Sequence, residues 1–279
     1  DFCLSRGLGD VYKRQEDLAS GTAAAAAGGF CAVVAMPNTD PVVDEAAVLG
    51  SLVDRARRDA RVPVGFLASI TRGLNGTELT EMAELADVGA LGFTDDGKPV
   101  TSAGLLRKAM AYQRLCGGVI ALHEEDPELS GDGVMHEGAV SARLGMAGIP
   151  SVSESTMIAR DAALAGYEGA RVHMQHVSVV ESVAALEQAR AAGVQVSAEV
   201  TPHHLTLTED VVRTLDSRFK MNPPLRTDAD RRALVDALRR GVIDCVATDH
   251  APHARHEKEV PFEEAAMGTT GLELSLIHI

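Results

Sequence analysis

No two cysteines in this 279-residue chain have the CxxC spacing of a zinc ribbon or a redox motif. The four (Cys3, Cys31, Cys116 and Cys245) are scattered. They read as reduced thiols, which points to a cytoplasmic protein. An excess of basic residues is missing too: 26 Lys and Arg against 40 Asp and Glu leave a net charge of −14. So acidic a chain lacks the basic face that nucleic acid requires. Nor is any apolar run long enough to span a bilayer. GTAAAAAGGFCAVVAM (21–36) follows YKR in the manner of a signal peptide, but Glu16 and Asp17 intervene and the run is mostly Ala and Gly. It divides into a helix over 16–27, a Gly-Gly stop and a buried strand over 31–36. The opening stretch, DFCLSRGLGDVYKRQ (1–15), has neither a helical stripe nor strand alternation.

What is present is a globular composition, 46% hydrophobic with ordinary charge density, in a chain long enough for one α/β barrel. Short apolar runs recur at 31–36, 62–70, 88–93, 118–123, 171–177, 194–200 and 242–247, and amphipathic segments such as 44–60 and 181–193 lie between most of them. Strands alternating with helices imply parallel pairing, and unbroken apolar strands imply burial on both faces. Seven strands is one short of a (β/α)8 barrel. Two connections, 124–155 and 205–241, are too long for a plain helix and are expected to shape a site.

Reactive residue types gather at the strand C-termini. MPN follows the first run, TDDG the third, and His123 ends the fourth. His176 lies near the end of the fifth, TPHH follows the sixth and TDHAPH the seventh. Barrel enzymes build their sites there, whereas a doubly wound sheet collects them at one switch point. The pattern favours a TIM-type barrel.

Asp96, His123, His176 and Asp249 are candidate metal ligands, a His and carboxylate set suited to zinc or a similar first-row metal. TDDG reads equally as a plain turn. Asp249, directly after an apolar strand, is better explained as ligand and proton shuttle than as an unpaired carboxylate. His253 points into the same mouth and could meet a substrate anion, or be a simple loop histidine. Asn38 in MPNT and Asn222 in MNPPLR could read an amide or a carboxylate, although Asn-Pro pairs are mostly turns. His203 and His204, placed on a strand, would point to opposite faces, and both read as structural.

Together EDLASGTAAAAAGGF, VVAMPNT, GFTDDGKPV, HEED, HEG, GIPSVSES, HVS, AEVTPHHL, KMNPPLR and ATDHAPH run in order from about Glu16 to about Glu273. In that order they resemble the bacterial-type dihydroorotases, members of the amidohydrolase superfamily of metal-dependent barrels. The resemblance implies a binuclear zinc site. In it Asp96 is the bridging carboxylate, His123 and His176 are ligands of one metal, and Asp249 is ligand of the other and general acid/base. Asn38, Asn222 and His253 are implied to hold the substrate. The implied reaction is reversible hydrolysis of the cyclic amide of dihydroorotate to N-carbamoyl-L-aspartate, in pyrimidine biosynthesis. The implied partners are that small molecule and a second copy or an aspartate transcarbamoylase, with neither nucleic acid nor membrane.

The sequence departs from the family at its ends. The family's His-x-His-x-Arg, two ligands of the second metal and a substrate arginine, falls by ungapped count on Leu4, Arg6 and Leu8. Residues 1–15 and the closing LSLIHI (274–279) are therefore expected to be non-native, with 16–273 as the hydrolase barrel. On that reading the first strand is missing or replaced and an accessory β domain is absent. At most one well-formed metal site is expected, and the chain as written is expected to be inactive. The alternatives are a non-catalytic partner of aspartate transcarbamoylase, or a hydantoinase or allantoinase. The latter would use a lysine bridge where Asp96 stands; Lys98 is near but does not match.

Overall fold

The computed structural model describes residues 4–5 and 16–271. The chain opens with β1 (Leu4–Ser5), α1 (Leu18–Ala27), β2 (Val33–Ala35), α2 (Ala46–Asp59), β3 (Val64–Ala68), α3 (Met82–Val88), β4 (Gly92–Phe93), α4 (Ala103–Cys116) and β5 (Ile120–Leu122). An excursion follows: α5 (Pro127–Ser130), β6 (Met135–His136), α6 (Ala139–Leu144) and β7 (Gly148–Ile149). The alternation resumes with α7 (Val152–Glu168), β8 (Val172–Met174), α8 (Val180–Ala191), β9 (Val196–Val200), α9 (Pro202–Thr206), α10 (Asp228–Arg240), β10 (Cys245–Val246) and α11 (Arg255–Lys258). Eight strands form one parallel sheet in the order β1-β2-β3-β4-β5-β8-β9-β10, while β6 and β7 pair separately.

All seven strands expected from the sequence are present, each shorter than its apolar run. The eighth comes from the stretch that shows no periodicity: Leu4 and Ser5 pair in parallel with Val34 and Ala35. Leu4 thus stands in the first-strand position, whereas Arg6, Leu8, the rest of 1–15 and the tail 274–279 lie outside the described residues. Among the described residues no ladder joins β10 to β1, so the barrel sheet is a curl of eight strands.

Burial on both faces has two different origins. The outer faces of the strands, among them Phe66, Phe93, Ile120, Leu122, Val172 and Met174, pack under the helices against Leu49, Leu85, Leu106, Met110, Ile158, Leu186 and Leu234. Each such side chain contributes about 1.5–3 kcal/mol of transfer free energy. The helices are cut to fit. In α2, Leu49, Leu52 and Ala56 recur at helical spacing on the buried side, with Arg57 and Arg58 in the last turn. α10 opens on a capping box between Thr227 and Asp230 and stops at Gly241, whose φ of 72° is one that glycine adopts freely.

The barrel's inner face is apolar on one side, where Val34, Met36, Leu67 and Ala121 cluster. It turns polar on the other, with His173, Ser197, Glu199 and Cys245 beside a cavity of about 430 Å³. The long connections, with Phe262 from after β10, supply a second, smaller core of Met135, Val212, Met221 and Leu225, which ties β6, the segment after β9 and the MNPPLR stretch together.

One placement differs from the sequence reading. His203 and His204 sit on α9, because Pro202 and the Thr201 N-cap start a helix directly after β9. Both are buried, and their rings lie 4.7 Å apart. His204 is held by Thr201 and the Pro223 carbonyl, as a structural histidine would be.

Candidate metal centre

Asp96 lies in the turn after β4, His123 directly after β5 and His176 two residues beyond β8. One ligand atom from each lies within 4.8 Å of the others, and all three residues are buried. His123 Nδ1 and His176 Nε2 are 2.9 Å apart with the rings edge-on at 79°. His176 leaves its strand with φ of 36°, in the left-handed region that non-glycine residues seldom occupy. Strain of that kind costs on the order of 1–3 kcal/mol and collects at functional sites.

The TDDG turn resolves into two carboxylates with separate jobs. Asp95 is the structural one: its oxygens accept from the Ile70 and Thr71 backbone N–H groups and from the Thr71 hydroxyl. Burial pushes its carboxyl up to about 6, although the Thr71 bonds oppose the shift. With Asp95 anchored inward, Asp96 is the one directed at the histidines.

Around the cluster stands a layer that the sequence reading missed. Glu125 Oε2 lies 3.0 Å from His123 Nε2 and accepts from Asn222 Nδ2 at 2.6 Å. Burial alone would raise the Glu125 carboxyl, but the hydrogen bond and charge of His123 hold it down to about 2. A carboxylate on the far nitrogen of a ligating histidine fixes its tautomer and orientation. The signal was in HEED, a carboxylate two residues after a strand-end histidine. Behind His176, Ser178 donates its N–H to Glu154 Oε1 at 2.9 Å and accepts from Arg226 Nε at 3.1 Å. Arg226 Nη1 also donates to the Ile149 carbonyl at 2.8 Å. HVS, GIPSVSES and KMNPPLR thus meet in one buried network.

Of the expected substrate residues, Asn38 reaches the cluster directly: its Nδ2 donates to Asp96 Oδ2 at 2.9 Å. Its buried Oδ1 has no partner among the described residues. Asn222 arrives through Glu125. His253 faces the Met267 carbonyl at 2.8 Å and Glu257 at 3.7 Å. Asp249 follows β10 with φ of 44° and is not one of the three clustered ligands. Its neighbour His250 is a structural bridge to Glu16 and the Gly271 backbone.

The residues present fit a metal ion. Two imidazole nitrogens and a carboxylate converge in a buried pocket, one histidine is braced by a carboxylate, and an orphaned amide oxygen sits alongside. Such a cluster on the strand ends of a parallel α/β barrel is the arrangement of a metal-binding barrel protein.

A family model described as dihydro-orotase-like matches residues 10–182. The dihydroorotase of Desulfotalea psychrophila is 50% identical over 273 residues, which are 97% of this chain and 64% of that protein. The dihydroorotase of Pelotomaculum thermopropionicum is 47% identical over 95% of this chain and 62% of its own length. Among solved structures, the L-hydantoinase of Arthrobacter aurescens superposes with a TM-score of 0.83 at 24% identity, covering 98% of this chain and 64% of that one. That likeness shows the shared fold. The chain belongs to the dihydro-orotase-like family. It spans somewhat under two thirds of the length of these relatives.

Proposed function

We propose that this site is that of a dihydroorotase, catalysing reversible hydrolysis of the ring amide of dihydroorotate to N-carbamoyl-L-aspartate. The observation that carries the reading is the buried Asp96–His123–His176 cluster with the Asn38 amide hydrogen-bonded to Asp96. Asp96, His123 and His176 would hold a zinc ion, a choice that rests on the mixed nitrogen and oxygen donor set. When bound, zinc supplies a Lewis acid for the amide carbonyl and lowers the pKa of water.

The chain's own groups do the rest. Asn38 Oδ1 accepts from the ring N–H, and the Asn222 amide and His253 imidazole donate to the substrate carboxylate. Asp249 takes a proton from the attacking water on one carboxylate oxygen and returns it to the departing ring nitrogen. Among the described residues Asp96 and Asp249 remain for a second ion, so one well-formed ion site is expected at this centre. The free thiols Cys31, Cys116 and Cys245 accord with a reducing, cytoplasmic setting.

The test is calorimetric binding of dihydroorotate, and of dihydrouracil, which lacks the carboxylate, to the zinc-loaded chain. Dihydroorotate is expected to bind at least tenfold more tightly, with the advantage lost in Asn222→Ala and His253→Ala. Equal binding of the two rings overturns the substrate assignment. Ring opening with two ions at this centre overturns the one-ion assignment.

A further inference from the structure

Beneath the metal centre, the polar wall of the barrel cavity holds a second cluster of donors. One imidazole nitrogen of His173, one carboxylate oxygen of Glu199 and Cys245 Sγ all lie within 4.8 Å of one another. They come from three adjacent strands: Cys245 stands opposite Glu199 in the β9–β10 register, and His173 opposite Ser197 in the β8–β9 register. Glu199 is buried, while His173 and Cys245 are partly exposed to the cavity of about 430 Å³. Glu199 Oε1 also accepts from the His176 backbone N–H at 3.4 Å, so the cluster abuts the first centre without sharing a side chain with it.

Both nitrogens of His173 have partners. Its Nδ1 lies 2.8 Å from Ser197 Oγ, which is also 3.4 Å from the Val172 carbonyl, and its Nε2 lies 3.0 Å from Glu199 Oε2. With the proton on Nε2 the second contact is a plain hydrogen bond; with the proton on Nδ1, donated to Ser197, Nε2 and the carboxylate are two acceptors face to face, which a cation between them relieves. The sulfur at the third corner favours the cation, since a His173–Glu199 hydrogen bond has no use for it. Imidazole, carboxylate and thiolate together select a borderline-soft divalent ion.

We propose that His173, Glu199 and Cys245 form a second cation site, for a thiophilic divalent ion of the zinc class, with water from the cavity completing the coordination. Burial, then the nearby Glu199 and Asp244 carboxylates, push the Cys245 thiol up to about 12, so without an ion it keeps its proton. On binding, the S–H bond is exchanged for a sulfur–metal bond and the proton passes to solvent. The ion would clamp β8, β9 and β10, the last only two residues long.

The test is titration of the full chain with Cd²⁺, read by thiolate-to-metal charge-transfer absorption in the near ultraviolet. A band is expected that is absent in Cys245→Ser and that saturates at one equivalent in Asp96→Asn, which disables the other centre. His173→Gln should weaken the titration at least tenfold. In the unaltered chain, two equivalents of Cd²⁺, one for each centre, should slow alkylation of Cys245 at least tenfold and leave Cys31 unchanged, a readout that needs no variant to fold. No band at two equivalents of Cd²⁺, a band that survives in Cys245→Ser, or unprotected Cys245 would overturn the site in favour of a His173–Glu199 hydrogen bond.

Discussion

Glu125 shows how much of a metal site lies in residues that never touch the metal. Its carboxylate joins His123 to Asn222, a bond from the ligand set on one side to the substrate set on the other. Glu125→Gln keeps the shape but removes the charge, and a change behind a ligating histidine typically weakens metal binding 10–100-fold. The zinc affinity of the Asp96 centre, measured against a competing chelator in a Cys245→Ser background, should fall by that range. An unchanged affinity would mean that Glu125 does not brace His123. Asp96, His123 and His176 were legible in the sequence because each follows an apolar run, where strand geometry alone fixes its direction. Glu125 and the split between Asp95 and Asp96 were not. Both depend on what the folded chain brings near: Asn222 for Glu125, and for Asp95 the backbone amides of Ile70 and Thr71, 25 and 24 residues away.

Elements hold the cluster in register, and β4 lies close against the entry to β5. A Cβ on Gly92 would meet the Val119 carbonyl oxygen at 2.4 Å, a backbone atom that cannot swing aside. Gly92→Ala should therefore destabilise the fold by about 1–3 kcal/mol and, because Asp96 and His123 follow these two strands, weaken metal binding as well. Thr227→Ala, which removes the α10 cap far from the cluster, should cost about 1 kcal/mol and leave metal binding alone. Thermal melts with and without zinc separate the two, and metal binding untouched in Gly92→Ala would contradict the link from strand spacing to site. The helices and seven strands were readable from period and burial, because parallel strands are apolar throughout. β1 and α9 were not: β1 pairs over two residues with no pattern of its own, and α9 depends on a proline immediately after a strand.

For the whole molecule, acid should be the main stress. Burial, followed by the nearby Arg226 charge, lowers His136 to about 4 and His204 to about 4, against 6.5 for an ordinary histidine. A histidine that is neutral when folded binds its proton more readily when unfolded. Its stabilisation is complete above about pH 6.5, drains away as pH falls, and is exhausted near pH 4, with an upper bound of about 3 kcal/mol for each residue. The melting temperature should drop steadily across that window, and the slope should flatten in His136→Gln and His204→Gln. A flat profile from pH 6.5 to 4 would contradict their burial as neutral rings. The central claim is that the curled sheet brings Asp96, His123 and His176 together as a metal centre. Diffraction from zinc-soaked crystals at the zinc absorption edge tests it most directly. An anomalous peak enclosed by Asp96, His123 and His176 is the expected result; crystals that show none there, with all three side chains ordered, would contradict it.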